Sequence, residues 1–467
     1  MNLFKKKKMK GKDPKDSVQV FSFLPHKYKD IWEKTQILFN KEIKTITDLN
    51  TLFYSGNSSL LKEIENNYPK EGTEFLKVYN NIRSLVLNIE KIFEKDEIQF
   101  LRTNTTNKII LTRKQVALIF ILGFFNIFYL DMKRMNVYVR YSFIQILTSK
   151  QGANLSKGRS FLNYMTIIGK WIEEKNELLQ EKITFIRDNK DFNIKDYPDD
   201  LKLCDIQFIE NGSLFDADAS FCIDFANQFI GGGVLGGGNV QEELLFSVEP
   251  EAIVSIFLME KMSNNDAIRI DNLIQYSKYS GYGRTFKFEG NATNNNKLIK
   301  HNIIAIDAVC DSKGGIDKKS VERDFIKAYV GFNLINFDDE NVAKLKKTIA
   351  TGNWGCGVFG GDFELKFIQQ WLAATYAGVE TLYYYTFSKK EMNNIIKKLE
   401  EIKLINANDL YLRLIGATLV KQKVLEIILE SNIDEKLSKI NDVGNNDINN
   451  NKKKKSCCFG FFAKSAS

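Results

Sequence analysis

The sequence predicts an α/β fold in which a mixed β-sheet is flanked by helices and is preceded by an all-helical accessory region. Up to about residue 200, apolar residues recur at three- and four-residue spacing, which is the period of helices that bury one face. Beyond residue 200, short β-rich runs alternate with helical stretches, and this alternation indicates a layered α/β architecture. The helical spacing is found in segments 58–67, 74–95, 113–130, 138–149 and 158–187.

The β-rich runs are short and strongly apolar, as expected of strands that helices cover on both faces. They lie at 205–210, 221–227, 252–259, 302–309 and 380–387. Helical stretches are predicted between some of these runs and after them, at 318–330, 362–377, 389–404 and 407–430. This order of elements predicts one sheet with helices packed against it.

Changes in composition divide the chain into units. The stretch 188–200, DNKDFNIKDYPDD, interrupts the helical pattern with residues that favour loops, and we place a boundary there. Both ends are rich in lysine and poor in apolar residues, which predicts solvated tails. The predicted units are a basic tail at 1–17, a helical accessory domain at 18–199, an α/β domain with C-terminal helices at 200–435 and a tail at 436–467.

The composition is that of a globular protein, with 44% hydrophobic and 27% charged residues. The net charge of +8 is carried largely by Lys5–Lys8 and Lys452–Lys455. Because the body between these runs is near neutral, we expect no sequence-specific contact with nucleic acid. The apolar stretch Val116–Leu130 has 15 residues, fewer than the roughly 20 that span a membrane. It is therefore predicted to be a buried helix.

The cysteines and histidines do not form a recognisable metal site. The chain has six cysteines without a CxxC pair and only two histidines, so no metal-ligand spacing is present. We therefore expect neither a metal nor an organic cofactor. The pattern of cysteines favours a reducing compartment, and an intracellular location, nuclear and/or cytoplasmic, is expected.

The C-terminal tail combines the polybasic run Lys452–Lys455 with Cys457, Cys458 and a cluster of phenylalanines. Two weak signals together can anchor a protein, so weak membrane contact through S-acylation of the two cysteines is one interpretation. A disordered tail, or a basic run that an import factor binds, is the other. The sequence leaves this choice open.

Two glycine-rich loops each precede a predicted helix, and both are candidate phosphate cradles. Residues 231–238 read GGGVLGGG and residues 351–362 read TGNWGCGVFGGD. Backbone N–H groups in such loops converge on an anion, and the helix N-terminus adds positive potential. Neither loop has the spacing of a nucleoside-triphosphate loop or of a dinucleotide-binding fingerprint. Two loops suit a ligand with two phosphates, and the simpler alternative is a pair of tight turns.

Glu242 and Glu243 follow the first loop and stand at a predicted helix start. Successive helical residues point about 100° apart, so the two carboxylates are expected to face different parts of a ligand. Adjacent glutamates usually form a solvated face, but the apolar Leu244, Leu245 and Phe246 behind them favour a buried site. A desolvated carboxyl at this point is expected to have a raised pKa and to act as a general acid.

Several segments, in the same order, resemble the poly(ADP-ribose) glycohydrolase family. Gly231–Gly233, a spacer of seven residues and then Gln241-Glu242-Glu243 resemble the family signature of three glycines, six to eight residues and Gln-Glu-Glu. Further similar segments are IDFAN at 223–227, TGNWGCGVFGGD at 351–362, YSGYG at 279–283, TFSKKEM at 386–392 and LTRKQVALIF at 111–120. The resemblance covers roughly residues 100 to 400. Because it includes the helical region, it points to the eukaryotic type of the enzyme, whose α/β half is a macrodomain, an ADP-ribose-binding fold.

The resemblance implies hydrolysis of the ribose–ribose O-glycosidic bonds of poly(ADP-ribose), with release of ADP-ribose. Glu243 resembles the catalytic acid, which protonates the leaving ribose oxygen and then deprotonates the attacking water. Glu242 is expected to bind the ribose hydroxyls and orient the substrate, and Gln241 of the same motif is expected to contact substrate. Asn227 is expected to hold the ribose, and Asp224 to support the site.

Substrate contacts are also implied for loop residues, according to the part of ADP-ribose that they meet. The diphosphate is wrapped on one side by Gly231, Gly232 and Gly233 and on the other by Asn353, Gly355, Gly357, Val358 and Phe359. The adenosine end meets Tyr279, Tyr282, Phe387, Ile209 and Glu210. Aromatic faces supply stacking, and glycine lets the backbone approach without a Cβ clash. Without the resemblance, the three aromatic residues are equally consistent with core packing.

A second class of function stays open, namely a macrodomain that binds ADP-ribose or its polymer without cleaving it. The paired glutamates argue against this alternative, because a pure binding module has no need of an acid there. The expected partners are poly(ADP-ribose) on modified proteins and the product ADP-ribose. The chain is expected to be a monomer.

Overall fold

The computed structural model describes residues 19–21, 24–93, 98–127, 142–293, 298–310, 318–337, 342, 344–417 and 424–429. The predicted tails at 1–17 and 436–467, with Lys452–Lys455, Cys457 and Cys458, lie outside these residues. Within the described part, no helix is both long and apolar enough to cross a membrane.

The strands in the described part form one large sheet and two small ribbons. They are β1 (Gln19–Phe21), β2 (Ile98–Phe100), β3 (Asn107–Thr112), β4 (Lys182–Asn189), β5 (Asp205–Ile209), β6 (Phe221–Ala226), β7 (Asp266–Ile274), β8 (Ser277–Ser280), β9 (Lys287–Asn291), β10 (Lys300–Asp307), β11 (Thr348–Gly352) and β12 (Thr381–Tyr385). β1 pairs with β2 and β8 pairs with β9, and the remaining strands form the sheet.

The helices of the described part surround this sheet. They are α1 (Lys29–Phe39), α2 (Ile46–Tyr54), α3 (Ser59–Asn67), α4 (Pro69–Leu87), α5 (Ile89–Ile92), α6 (Arg113–Phe124), α7 (Ile144–Thr148), α8 (Gly152–Glu173), α9 (Gln241–Val248), α10 (Ser255–Leu258), α11 (Lys318–Asn333), α12 (Phe363–Ala377), α13 (Asn393–Lys403), α14 (Ala407–Ala417) and α15 (Val424–Leu429). Local sequence fixes several of their ends. Thr112 and Gln115 form a reciprocal capping box at the start of α6, and Gly378 ends α12 in the left-handed conformation.

The large sheet has eight strands in the order β3-β4-β7-β10-β6-β11-β12-β5. Neighbours from β3 to β10 run antiparallel, whereas neighbours from β10 to β5 run parallel. The sheet is therefore mixed, and the carboxyl ends of its parallel strands lie along one edge.

The helical region shares its hydrophobic core with the sheet. One buried cluster runs from helices α4, α6 and α8 to Phe185, Ile270 and Ile303 on one face of the sheet. The other face, with Ile304 and Ile349, packs against α11, α12 and the helices that follow. Strands β3 and β4 lie before residue 200, so the boundary placed at 199/200 follows two strands of the sheet.

A buried ion pair joins the start of α6 to the segment after α9. The guanidinium of Arg113 lies 2.5 Å from Glu251, and both side chains are fully buried. Glu251 also accepts a hydrogen bond from the Tyr276 hydroxyl at 2.6 Å. Breaking a buried pair by removing one partner costs about 3–5 kcal/mol, because a charge is left uncompensated.

Two sequence-based assignments of secondary structure were wrong. The helical pattern over 158–187 ends at Glu173, and its last residues form β4, which is buried through most of its length. The β-rich run 252–259 is helical, because Pro250 starts a 3₁₀ helix that leads into α10. Every residue of this run is buried, so it lacks the periodicity that distinguishes a helix from a strand.

Besides β4, sequence reasoning missed three strands of the large sheet, namely β3, β7 and β11. β7 reads DAIRIDNLI, with Arg269 and Asp271 near its centre. These polar and charged residues interrupt the apolar run by which a buried strand is recognised in the sequence. The two side chains form a buried ion pair at 2.9 Å, which makes the charges tolerable inside the protein. β11 is only five residues long and ends in Gly352, so it gave little β signal.

Candidate functional site at the carboxyl edge of the sheet

The five parallel strands β10, β6, β11, β12 and β5 end at one edge of the sheet, where ligands of open α/β sheets bind. The first glycine-rich loop and α9 follow β6, and the second glycine-rich loop follows β11. Loops that are far apart in the sequence therefore meet at this edge.

A pocket of ≈ 710 Å³ opens among these loops, within the range of small-molecule sites. Its lining is largely apolar and aromatic. Of the predicted site residues, those that line it are Gln241, Tyr279, Tyr282, Asn353, Gly355, Gly357, Val358, Phe359 and Phe387. The remaining predicted residues, which do not form this lining, are Ile209, Glu210, Asp224, Asn227, Gly231, Gly232, Gly233, Glu242 and Glu243.

Gln241 fastens helix α9 to the end of strand β6. Its side-chain oxygen accepts the N–H of Phe225 at 2.8 Å, and its amide donates to the carbonyl of Ile223 at 3.1 Å. Strand β11 pairs with β6 only at Phe221 and Cys222. The amide of Gln241 therefore continues the hydrogen-bonding pattern where the neighbouring strand departs, and it sets the start of α9.

The two glutamates are held by backbone N–H groups around the glycine-rich loop. Glu242 accepts from Asn227 at 2.9 Å and from Gly231 at 2.6 Å. Glu243 accepts from Gly233 and from Val240, each at 2.9 Å. Glu242 is 2% exposed and Glu243 is 5% exposed. Each carboxylate is thus fixed in one orientation, as the placement of a reacting group requires.

Two glycines of the loop permit this close contact with Glu243. A Cβ on Gly232 would lie 2.5 Å from Glu243 Oε1, and a Cβ on Gly238 would lie 2.6 Å from the same oxygen. Gly232 also has a φ of +47°, which disfavours larger residues. A Cβ on Gly237 would meet nothing within 4 Å. Gly232 and Gly238 are therefore needed to leave room for Glu243, whereas Gly237 is not.

Asp224 is fully buried in β6, and neither of its oxygens has a hydrogen-bond partner in the described part of the chain. Burial raises its pKa well above the ordinary value, and the carboxylates of Glu243 and Glu249 add to the shift. Burial also raises the pKa of Glu242, with contributions from Asp224 and Glu243. The raised pKa expected at this helix start is found at Glu242, and the cluster favours neutral carboxyls at Asp224 and Glu242.

The aromatic residues differ in how they meet the pocket. Tyr282 is 60% exposed and Phe387 is 42% exposed, so neither is a core residue. Phe387 and Ser388 have φ values of +51° and +53°. A bulky residue in this conformation is strained, and such positions concentrate at functional sites. Tyr279 is half-buried against Phe286, with ring centroids 5.8 Å apart.

The second glycine-rich loop has a fixed base and an exposed tip. The Asn353 amide donates to the carbonyl of Thr386 at 3.0 Å, and its side-chain oxygen accepts from the Tyr384 hydroxyl at 3.3 Å. Gly355 has a φ of +74°, whereas Val358 at the tip is 80% exposed. The loop therefore presents an apolar tip from a base held by β12.

Ile209 and Glu210 lie beside the pocket rather than in its lining. Ile209 is the last residue of β5, and its carbonyl accepts the N–H of Thr386 at 2.9 Å. Glu210 is exposed, and the lining begins two residues later at Gly212. In the described residues, no group of three or more His, Cys, Asp and Glu side chains is arranged to hold a metal.

Both halves of the chain match models of one protein family. Residues 69–187 match the helical domain of poly(ADP-ribose) glycohydrolase, and residues 195–394 match the macro domain fold of the same family. The chain belongs to the poly(ADP-ribose) glycohydrolase family. Its fold is a helical N-terminal domain followed by a macrodomain with a mixed sheet flanked by helices. The predicted family and fold class are confirmed.

Curated relatives carry the same family name. The chain is 32% identical over 254 residues to the probable poly(ADP-ribose) glycohydrolase 2 of Arabidopsis thaliana, covering 46% of this chain and 49% of the relative. It is 31% identical over 285 residues to poly(ADP-ribose) glycohydrolase 1 of Caenorhabditis elegans, covering 56% of this chain and 35% of the relative. The chain thus spans about half or less of the length of these relatives.

A solved structure of poly(ADP-ribose) glycohydrolase from Deinococcus radiodurans in complex with ADP-ribose overlaps with a TM-score of 0.28 and 14% identity, covering 42% of this chain and 86% of that chain.

Sequence reasoning missed residues of the site in this glycohydrolase-family chain. The lining also includes Ser213, Leu214 and Phe215 after β5, which carry no motif. Lys157 in α8 contacts the first glycine-rich loop from the helical domain. A signal for Lys157 was present, because it stands four residues after Ala153 and four before Phe161 on a buried helix face. A lysine on an apolar stripe needs a partner.

Proposed function

We propose that this chain hydrolyses the ribose–ribose O-glycosidic bonds of poly(ADP-ribose) and releases ADP-ribose. The observation that carries the proposal is the Gln241-Glu242-Glu243 motif, whose three side chains are bonded to backbone around the glycine-rich loop. The motif lies at the edge of a pocket of ≈ 710 Å³. Membership of the glycohydrolase family supports the same reaction.

Glu243 is the general acid and base of the proposed reaction. It gives its proton to the leaving ribose oxygen while the glycosidic bond breaks, and the anomeric carbon gains oxocarbenium character. Glu243 then takes a proton from the water that attacks this carbon, which restores its starting state. The N–H groups of Gly233 and Val240 hold the carboxylate and stabilise its charge between the two steps.

The neighbouring carboxyls orient the substrate in this proposal. A neutral carboxyl both donates and accepts hydrogen bonds, so the raised pKa of Glu242 suits it to bind ribose hydroxyls. Asn227 holds the ribose, and Asp224 supports the pair from strand β6. A single carboxylate performs both proton transfers, so it must reach both the leaving oxygen and the attacking water.

The remaining contacts in the proposal involve residues in the pocket lining and beside it. The two glycine-rich loops enclose the diphosphate, Tyr282 stacks on adenine, and Phe387 packs against the ribose. Tyr279, Ile209 and Glu210 complete the adenine end.

The proposed partners are poly(ADP-ribose) on modified proteins as substrate and ADP-ribose as product, with the chain acting as a monomer. The described cysteines carry free thiols at Cys204, Cys222, Cys310 and Cys356. Free thiols are consistent with the proposed intracellular location, nuclear and/or cytoplasmic.

Substitution of the catalytic acid tests the proposed function. Glu243→Gln keeps the shape of the side chain but cannot transfer the proton, so the release of ADP-ribose from labelled polymer is expected to fall by roughly 10²-fold or more. Glu174→Gln, at an exposed glutamate after α8, is the matched control and should leave the rate unchanged. Equal rates for Glu243→Gln and wild type would show that Glu243 is not the general acid and base. Tight ADP-ribose binding by a wild-type chain that leaves polymer uncut would favour the binding module.

A further inference from the structure

A lysine of the helical domain lies against the first glycine-rich loop and is fully buried there. The ammonium of Lys157 donates to the carbonyls of Val234 at 3.2 Å, Gly236 at 2.7 Å and Gly238 at 2.7 Å. An ammonium has three N–H donors, so these three carbonyls use its full capacity. The loop therefore curves around a cation that a distant part of the chain supplies.

The three contacts determine which way the loop peptides face. In a trans peptide the C=O and N–H groups point in opposite directions. Because the carbonyls of Val234, Gly236 and Gly238 face the ammonium, the N–H groups of the residues that follow each of them face away from it. Within the loop, the N–H groups of Gly236 and Gly238 both donate to the carbonyl of Gly233, at 2.9 Å and 3.1 Å. Lys157 thus fixes an alternation of peptide directions that glycine itself does not enforce.

The same loop holds the carboxylate of Glu243. The N–H of Gly233 donates to Glu243 at 2.9 Å, and a Cβ on Gly238 would lie only 2.6 Å from Oε1 of the same side chain. Gly238 therefore contacts Lys157 through its carbonyl, and the side of Gly238 that a Cβ would occupy faces Glu243. One residue separates the buried ammonium from the carboxylate.

Burial and the neighbouring carboxylate act on the charge of Lys157 in opposite directions. Burial lowers the pKa of Lys157 to about 7, and the carboxylate of Glu243 opposes the shift. The ammonium form is the one that can donate to three carbonyls at once.

We propose that Lys157 is a positioning residue of the proposed reaction: it holds the glycine-rich loop in the conformation that orients Glu243. This inference rests on the proposed function for its kinetic readout. Removal of the ammonium leaves three carbonyls that lose their charged donor, in a segment whose glycines gain the most freedom when released. The glycine-rich loop then no longer holds the carboxylate of Glu243 in one orientation. The helical domain is thereby part of the reacting site and not only a support for the sheet.

Substitution of Lys157 by methionine tests the proposal, because methionine keeps most of the length and removes the charge. We expect kcat on labelled polymer to fall by about 10–100-fold, since small displacements of a reacting group have effects of this size. KM and the Kd for ADP-ribose are expected to change by less than about threefold, because the first loop encloses only one side of the diphosphate while the adenine end and the second loop keep their own contacts. Amide hydrogen exchange is expected to accelerate in residues 231–240 alone.

Two further variants complete the test. Lys170→Met, on the same helix but 46% exposed and paired with Glu74, is the matched control and should behave as wild type. Lys157→Gln retains two donors, so its kcat is expected to lie between those of wild type and Lys157→Met. It also keeps the test decisive should the methionine variant not fold.

The outcomes separate the alternatives. A Lys157→Met variant with wild-type kcat would overturn the proposal. Loss of kcat, ADP-ribose affinity and thermal stability together in both Lys157 variants would also overturn it. That result is expected if Lys157 only stabilises the fold and does not position Glu243. If wild type itself leaves polymer uncut, the proposed function fails, and the exchange in residues 231–240 still decides whether Lys157 holds the loop.

Discussion

Asp224, beside the glutamate pair, carries an electrostatic cost of burial. It is fully buried, and neither oxygen is hydrogen-bonded in the described part of the chain. Because its folded-state pKa is raised, the folded protein retains a proton that the unfolded chain releases above about pH 4. The associated stability is present below about pH 4 and is lost as the pH rises through the folded-state pKa. Because the pKa of Glu242 is also raised in the folded state, its contribution to stability depends on pH in the same direction.

Replacement of Asp224 by asparagine should therefore stabilise the protein at alkaline pH. An amide costs less to bury than a carboxylate, so the free energy of unfolding at pH 8 is expected to increase by about 1–3 kcal/mol. The gain should be smaller at pH 5, because acid favours the neutral form of the wild-type carboxyl, which costs less to bury. Urea unfolding at both pH values measures it. Asp205→Asn, at an exposed carboxylate of β5, should show no such trend, and a less stable Asp224→Asn at pH 8 would contradict the argument.

The first glycine-rich loop shows how one element combines necessary and unnecessary glycines. Gly232 and Gly238 lie against the carboxylate of Glu243, whereas Gly237 faces open space. From the sequence, the second glycine triplet suggested only phosphate binding. The structure instead gives Gly238 a steric role at the side of the proposed acid.

Two alanine substitutions separate these roles. Gly238→Ala places a Cβ 2.6 Å from Glu243 Oε1 and 2.9 Å from the Cα of Gly233, so we expect kcat to fall by about tenfold or more and stability to fall by about 1–3 kcal/mol. Gly237→Ala meets no atom and reduces the freedom of the unfolded chain, so stability should rise by up to about 1 kcal/mol. Thermal unfolding and polymer cleavage measure both. Equal behaviour of the two variants would show that the loop yields to a Cβ at either position.

The elements that sequence reasoning identified are those with a clear local signal. β6, β10 and β12 follow the apolar runs that predicted them, and Glu242 and Glu243 lie at a helix start as expected. β7 was missed because Arg269 and Asp271 neutralise each other only in the folded state. Lys157 was missed for a different reason, since its three acceptors lie about 80 residues away along the chain. Pairings between distant residues are not encoded in local periodicity.

For the whole molecule, the helical domain and the macrodomain share one sheet and one buried cluster. The helical region contributes β3 and β4 to the sheet, and its helices share a buried cluster with one sheet face. Arg113 and Glu251 add a fully buried ion pair between them. Separation of the two halves would therefore expose apolar core residues of each half to solvent.

A fragment that begins at residue 200 is therefore expected not to fold. It lacks β3 and β4, exposes the edge of β7 and uncovers one sheet face, so too little apolar surface is buried to offset the loss of chain entropy. Circular dichroism and urea unfolding of the fragment should show no cooperative transition, whereas the full chain should unfold in a single one. A fragment with a sharp transition of its own would mean that the two regions fold independently.

The order of the strands in the sheet also has a consequence for synthesis on the ribosome. β4 ends at Asn189, and its second neighbour β7 is complete only at Ile274. At about 5–20 residues per second, the free edge of β4 waits roughly 4–17 s for its partner. Exposed strand edges recruit other chains, and charged side chains oppose this. Arg187 and Asp188 lie in the part of β4 that later pairs with β7, so the nascent protein carries its own protection against premature pairing.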